Sequence, residues 1–191
     1  MESILYAFEL VGLALGAGGA FIFNSFFILC LKDHQLKKHE IVMLSRINLL
    51  SLTAAVIGLF AYVLSLASMM ERLIIPDVGI TGLKLCLYAL ALVTGLTLRK
   101  IHIPSLIRHQ YEYSHLSPGF QFHQNTLAST ASYSNLAWIF IIILTAVSIQ
   151  GGRFMTLVSE NILIIGLSFI IISLIASRLS IYLKDSLLST R

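Results

Sequence analysis

Four ionisable residues lie inside long apolar stretches of the sequence: Glu9, Arg46, Lys84 and Arg178. Charges are costly within a membrane, and residues of this kind bind ligands, carry protons or pair with one another. Glu9 and Lys84 have opposite charges and lie at similar depths in the first and third stretches. We therefore predict an ion pair between them on the outer side. The alternative is that each side chain extends separately to the membrane surface.

Arg46 and Arg178 lie towards the opposite side, with no acidic residue at their level. Asn48 and Asn135 belong to the same half of the predicted structure. Two guanidinium groups at the mouth of a polar cavity would bind a small anion or a lipid headgroup. Two other interpretations are open: the arginines extend to lipid phosphates, and the amides form hydrogen bonds between helices.

The sequence offers no recognisable catalytic or metal-binding pattern. All six histidines lie in predicted loops or at helix ends, where we expect solvated or interfacial side chains: His34, His39, His102, His109, His115 and His123. Their spacing matches no zinc motif, and a haem held between helices needs histidines within the spans. Phosphate-binding loops, Gly-x-Ser-x-Gly and His-Glu-x-x-His are also absent. We therefore expect no catalytic residue, no metal and no cofactor.

The composition defines the class of protein that positions these residues. Of the 191 residues, 57% are hydrophobic and 12% are charged, whereas roughly a quarter are charged in a typical soluble domain. A soluble globule of this size cannot bury so much apolar surface. The sequence has no basic stripe of the kind that binds nucleic acid. The composition thus predicts an integral membrane protein whose main partner is the lipid bilayer.

Five apolar stretches are each long enough to cross about 30 Å of hydrocarbon as a helix. Their predicted limits are residues 4–31, 41–70, 78–100, 122–150 and 157–184. Pro76, Pro104 and Pro118 lie between the stretches, as expected for residues that interrupt helices. Pro104 is predicted to open a short interfacial helix over residues 105–113, and Pro118 is predicted to lie in a turn. The predicted fold is one all-α bundle of five transmembrane helices.

The basic residues are divided unequally between the two predicted sides. Ten lie near the ends of spans one, three and five: Lys32, Lys37, Lys38, Arg46, Arg99, Lys100, Arg108, Arg178, Lys184 and Arg191. Three lie on the other side: Arg72, Lys84 and Arg153. Cytoplasmic loops of membrane proteins are enriched in Lys and Arg. We therefore predict an N-terminus outside and a C-terminus in the cytoplasm, in a cell inner (plasma) membrane.

Glycines follow a helical spacing in the first span. Gly12 and Gly16 form a small-xxx-small pair, with Gly19 one turn further on, and Ala14 and Gly18 form a second pair. In lipid, small residues favour packing because they let two helix backbones approach closely. We predict that these glycines pack within the chain, and contact with another subunit is the alternative.

Several short motifs follow one another between about residues 9 and 140. They are Gly12-x3-Gly16-x-Gly18-Gly19, Leu31-Lys32-Asp33, Glu40, Lys84, Thr94-Gly95, Pro104 and a serine-rich run that ends at Trp138. In these motifs the chain resembles small bacterial integral membrane proteins of unknown function, which in turn distantly resemble copper-resistance D-type membrane proteins. The resemblance implies a small helical bundle in a bacterial inner membrane and supplies no activity.

Together these features favour a non-catalytic membrane protein, either an accessory or assembly subunit of a larger complex or a protein that acts alone. Its protein partners would be other membrane subunits or a second copy of the chain. One alternative is a carrier or channel for a small anion or a lipid, which would use Arg46 and Arg178. A second alternative is a metal- or haem-associated redox protein, which would use Glu9 or the loop histidines.

Overall fold

A computed structural model of the chain describes residues 2–31, 37–71, 77–108, 118–150, 158 and 160–189. Each regular element within these ranges is a helix. The helices are α1 (Glu2–Leu31), α2 (Lys38–Glu71), α3 (Val78–Thr97), a π-helix (Leu98–His102), α4 (Ile103–Arg108), α5 (Pro118–Gln150) and α6 (Ile162–Ser189). Val158 and Glu160 are also helical.

Five helices in the described part of the chain are long and apolar enough to cross a membrane. Their apolar stretches are Ile4–Cys30, Lys38–Glu71, Val78–Arg108, Gln124–Ser148 and Ile162–Tyr182. The prediction of an all-α chain with five such helices is confirmed at this level of length and composition.

Side chains define where two of these helices begin. Asp77 precedes α3, and its Oδ1 accepts a hydrogen bond of 2.9 Å from the backbone N–H of Ile80. At the start of α2, the carboxylate of Glu40 accepts a 2.7 Å hydrogen bond from the backbone N–H of Lys37. Both contacts satisfy backbone donors at a helix N-terminus, and the first is a typical N-cap.

The third helix extends further than its predicted end at residue 100. The π-helix and α4 continue α3, so the helical run extends from Val78 to Arg108 and contains Pro104. Proline lacks an N–H, and its ring clashes with the carbonyl group four residues earlier. The wider π turn directly before it, in which the Ile103 N–H donates to the Leu98 carbonyl, accommodates this ring. The prediction that Pro104 interrupts the helix is therefore wrong. The predicted short helix is present up to Arg108 as a continuation of α3, its remaining residues lie outside the described part of the chain, and its interfacial location stays a prediction.

Two further boundaries differ from the prediction. Helix α5 begins at Pro118 rather than near residue 122. Proline suits the first position of a helix, where no N–H is needed, so Pro118 starts the helix instead of forming a turn. Helix α6 begins at Ile162, after a turn at Asn161. The predicted start at residue 157 lies outside the described residues.

Successive long helices are antiparallel, and the core has two parts. Near one end, the last turns of α1 meet the start of α2, α4 and the start of α5 around Phe27, Leu44 and Leu106. We call this the basic end, because the basic residues of α4 and of the first turn of α2 lie there. A second cluster surrounds Tyr88 and Trp138 towards the other end. We call that end the ion-pair end, because Glu9 and Lys84 pair there.

Helix α6 lies at the periphery of the bundle. Its contacts are mainly with α5, whereas α1, α2, α3 and α5 pack against one another. Of the apolar window of α6, 11% is buried, compared with 56% in α5. The fold thus combines a four-helix core with one attached helix.

Candidate functional site

Glu9 and Lys84 meet in the half of the core that faces the ion-pair end. The Lys84 ammonium donates a hydrogen bond to Glu9 Oε1, which joins α1 to α3. Glu9 is 4% exposed and Lys84 is 2% exposed. The structure therefore brings together the two residues that were predicted to pair, and it encloses them almost completely.

Aromatic rings surround this ion pair. The Lys84 ammonium nitrogen lies 4.1 Å from the centroid of the Tyr62 ring, in a cation–π contact. The Tyr62 and Tyr88 ring centroids are 6.1 Å apart. Trp138 packs edge-on against Tyr88, also at 6.1 Å. These contacts offset part of the free-energy cost of removing the ammonium group from water. An isolated ion pair in hydrocarbon would have no such contacts.

Tyr62 and Tyr88 are members of this cluster that neither charge nor spacing marked in the sequence. Their hydroxyl groups within apolar spans were the available signal, because a buried tyrosine usually finds a hydrogen-bond partner. The Tyr88 hydroxyl is buried and has no such partner among the described residues. It lies against Gly58 of α2, where an added Cβ atom would approach the hydroxyl oxygen to 3.2 Å.

Of the glycines of α1 predicted to pack within the chain, Gly12, Gly16 and Gly19 face neighbouring helices, whereas a Cβ atom on Gly18 would meet no atom within 4 Å. A Cβ atom on Gly12 would lie 2.7 Å from the Cα atom of Gly58 in α2. On Gly16 it would overlap the ring of Trp138, and on Gly19 it would lie 3.0 Å from Ser51. Side-chain atoms at these positions would therefore separate α1 from α2 and α5.

Asn48 is one of the four residues predicted to form an anion or lipid site. It is buried, and its amide donates a 3.0 Å hydrogen bond to the carbonyl oxygen of Gly95 in α3. Ser51, one turn further along α2, donates a 2.9 Å hydrogen bond to the carbonyl oxygen of Gly16. Both side chains thus join α2 to another helix, which agrees with the interpretation of polar residues as interhelical contacts.

A cavity of about 10 Å³ lies beside Asn48. It is lined by Ala20, Phe23, Asn48, Ser51, Leu98, Ala131 and Ser134. This volume is close to the minimum of roughly 10–15 Å³ that a single water molecule needs, and Asn48, Ser51 and Ser134 supply polar walls.

The other three residues of the predicted site lie apart from this cavity lining. Asn135 is buried in α5, and its Oδ1 has no hydrogen-bond partner among the described residues. The side chains of Arg46 and Arg178 are exposed. Arg178 lines a shallow, open groove on α6 with Leu174, Ile175, Leu179 and Tyr182. Neither this groove nor the cavity contains more than one of the four predicted residues.

Helix α6 attaches to α5 through serine side chains. The Ser132 and Ser180 hydroxyl oxygens are 2.6 Å apart, in a hydrogen bond between α5 and α6. Ser173 and Ser177 are the two residues of α6 that the structure buries among those it describes. These residues define the α5–α6 interface, which the sequence analysis did not predict as a separate feature.

The described histidines differ from each other in exposure. His39 is exposed at the start of α2, whereas His102 in the π-helix is 3% exposed. The expectation of a solvated or interfacial side chain is therefore wrong for His102, because the helix continues through Pro104 and packs this turn against the bundle. His34, His109, His115 and the side chain of His123 lie outside the described part of the chain. Among the described residues, no three His, Cys, Asp or Glu side chains are grouped closely enough to hold a metal ion.

Comparison of the chain with known protein families, with curated proteins and with solved structures finds no match. The resemblance to small bacterial membrane proteins of the copper-resistance D-like type therefore stays a prediction. The role of the site has to follow from its own geometry.

Proposed function

We propose that the chain is a non-catalytic, multi-pass protein of a cell inner (plasma) membrane, with its N-terminus outside and its C-terminus in the cytoplasm. Five helices of suitable length and apolarity support insertion. The division of ten basic residues against three supports the orientation. The antiparallel packing of the helices agrees with that division, since it places Lys38, Arg99 and Arg108 at one end of the bundle.

Within this membrane protein, three buried polar contacts support a role in holding helices together. Lys84 is paired with Glu9, Asn48 with the Gly95 carbonyl group, and Ser51 with the Gly16 carbonyl group. Polar groups whose hydrogen bonds are made to neighbouring helices stabilise the packing of the bundle. We therefore propose that the protein acts as an accessory or assembly subunit rather than as an enzyme.

The observation that carries this proposal is the second small-xxx-small pair of α1. Whereas the space at Gly12 and Gly16 is filled by neighbouring helices, a Cβ atom on Gly18 would have no atom within 4 Å, and Ala14 is exposed. At helical spacing, Val11, Ala14, Gly18, Phe21 and Ser25 form a continuous outer surface, which we call the open face of α1. Another transmembrane helix could approach this face closely, as helices do at such motifs.

The experiment is native mass spectrometry of the full chain, extracted from its membrane in mild detergent. We expect the wild-type chain to carry a second membrane subunit or a second copy of itself. Gly18→Leu should remove that partner, because a branched side chain prevents close approach of the backbones.

Gly82→Leu is the matched control, because Gly82 on α3 is exposed and a Cβ atom there would also have no atom within 4 Å. This variant should keep the partner. A wild-type chain that is released alone, or a partner lost equally in both variants, would contradict assembly through the open face of α1.

The carrier alternative receives less support from the geometry. The cavity beside Asn48, at about 10 Å³, has room for one water molecule and not for an anion or a headgroup. Arg46 and Arg178 are exposed on different helices. Because neither arginine lines the cavity, and only Arg178 lines the groove on α6, the geometry does not bring them to a shared anion site.

A further inference from the structure

Arg178 has an unusual position for a charged residue in an apolar helix. Its side chain is exposed and forms no hydrogen bond or ion pair with the residues that the structure describes. Charged residues within membrane spans usually face the bundle interior or a partner. With no partner among the described residues, the guanidinium of Arg178 is available to an anionic group of another molecule.

The surface around Arg178 faces away from the bundle. Ser173 and Ser177 bury one side of α6 against the core, whereas Leu174, Ile175 and Leu179 are 54–62% exposed. With Arg178 and Tyr182 they line a shallow groove along α6 that is open on its outer side. Its walls are apolar, and Arg178 is the one charged group among its lining residues. An occupant that matches this groove has an anionic group next to a hydrocarbon chain.

The depth of Arg178 distinguishes a lipid from a buried acidic helix as that occupant. Tyr182 lies one helical turn after Arg178, about 6 Å along the helix axis, and the sequence of α6 becomes charged two residues later, at Lys184. Tyrosine is enriched at the membrane interface, where lipid phosphates lie. An arginine one turn below that level reaches the phosphates by extending its side chain.

We infer that the α6 groove binds an anionic phospholipid. The phosphate accepts hydrogen bonds from the Arg178 guanidinium in the bidentate geometry that this group favours. An acyl chain lies along Leu174 and Ile175, and Tyr182 borders the headgroup. The inference rests on the proposed insertion of the chain in a membrane, and it is independent of assembly through the open face of α1.

The test uses the purified full chain in dodecyl maltoside and native mass spectrometry during titration with dioleoylphosphatidylglycerol or dioleoylphosphatidylcholine. We expect one saturable phosphatidylglycerol adduct and much weaker binding of phosphatidylcholine. Arg178→Gln should weaken phosphatidylglycerol binding about tenfold, the effect of losing hydrogen bonds to a charged group. Arg178→Lys should lose less affinity, because it retains the charge but not the paired donors.

Arg46→Gln is the matched control, since Arg46 is also exposed in the half of the bundle that faces the basic end but does not line the groove. Its phosphatidylglycerol affinity should stay within about twofold of wild type, because a distant exposed charge contributes little. Equal losses in both variants, or none in Arg178→Gln, would overturn the site in favour of general attraction to anionic lipid. Displacement of phosphatidylglycerol by excess inorganic phosphate would show a free-anion site instead. Cross-linking of Tyr182 to another membrane protein, rather than to lipid, would show a protein interface.

Two further readouts separate this inference from the proposed function. Gly18→Leu should keep the lipid adduct even if it removes the protein partner, so failure of assembly does not resemble failure of the lipid site. Resistance of vesicle-reconstituted protein to alkaline extraction tests membrane insertion by itself. Loss of the protein from the vesicles would contradict the insertion on which both proposals depend.

Discussion

Helices α1 and α6 are both long and apolar, and each contains small residues and one ionisable residue within its apolar stretch. In α1 the glycines bring the backbone against α2 and α5, and Glu9 is buried with Lys84 as its partner. In α6 the buried small residues are Ser173 and Ser177, Ser180 forms a hydrogen bond with Ser132 of α5, and Arg178 is exposed without a partner among the described residues. The same kinds of residue thus hold one helix inside the bundle and leave the other at its edge.

This difference shows that apolarity alone does not decide which helix lies at the centre of this bundle. Lipid tails are as apolar as leucine, so helices associate through close packing and polar contacts rather than through burial of apolar surface. Glycine allows backbone contact over several turns, whereas a serine hydroxyl adds single hydrogen bonds. The depth of the charge matters as well, because a residue far from the interface needs a partner inside the protein.

The ion pair should be the most sensitive feature of α1. Glu9→Leu leaves the Lys84 ammonium buried beside Tyr62 without its carboxylate partner. We expect a loss of about 3–5 kcal/mol in the free energy of unfolding, as is typical when one partner of a buried pair is removed. SDS-titration unfolding can be followed by the fluorescence of Trp138, which is the only tryptophan in the sequence.

The double variant Glu9→Leu with Lys84→Met separates the charge from the packing. Because both charges are removed together, it should recover most of the stability that Glu9→Leu loses. A single variant as stable as the wild type, or a double variant no more stable than the single, would contradict the view that the pair fixes α1.

The glycine contacts of α1 should have the next largest effect. In Gly16→Ala the added Cβ overlaps the ring of Trp138, which is 1% exposed and has no free space to move into. Overpacking of this kind costs about 1–3 kcal/mol, more than the gain of up to about 1 kcal/mol in helix propensity. The same SDS titration measures the difference.

Gly18→Ala is the control within the same helix, because its Cβ would meet no atom within 4 Å. It should be at least as stable as the wild type, since alanine is the better helix former. Equal stability losses in the two variants would show that helix propensity or lipid contact, rather than packing against Trp138, governs this face.

The attachment of α6 should show the smallest effect. Ser180→Ala removes the hydrogen bond with Ser132. A double-mutant cycle with Ser132→Ala should give a coupling of about 0.6 kcal/mol, the average for such contacts between membrane helices. Hydrogen exchange should increase in α6 and stay unchanged in α1. Coupling near zero, or faster exchange in both helices, would contradict the distinction between a fixed α1 and a loosely attached α6.

The sequence predicted the part of the site that depends on charge and depth. An ion pair between Glu9 and Lys84 could be predicted because the two residues have opposite charges and similar depths in their apolar stretches. A charged side chain in such a stretch usually needs a partner. Tyr62 and Trp138 could not be assigned to the same site, because their contacts depend on how α2 and α5 are rotated about their axes. For the same reason, Arg46, Asn48, Asn135 and Arg178 look like one polar group in the sequence and lie in different surroundings in the structure.

The helix limits were also only partly predictable from the sequence. Pro104 was expected to end a helix, since proline removes a backbone donor. The π-helix at Leu98–His102 accommodates it, and His102 becomes buried as a result. A local rule predicts the disturbance at proline, but the packing of the following turn around Leu106 decides whether the helix stops or continues.

The sequence by itself determined that five apolar helices are present and where charges lie along each of them, because hydrocarbon thickness and side-chain solvation are read from one segment at a time. The tertiary structure decided which side of each helix meets a neighbour. That choice separated the enclosed Glu9 from the outward-facing Arg178, and the filled Gly16 from the open Gly18. It depends on contacts between residues far apart in the chain, such as Glu9 and Lys84, which no single segment specifies.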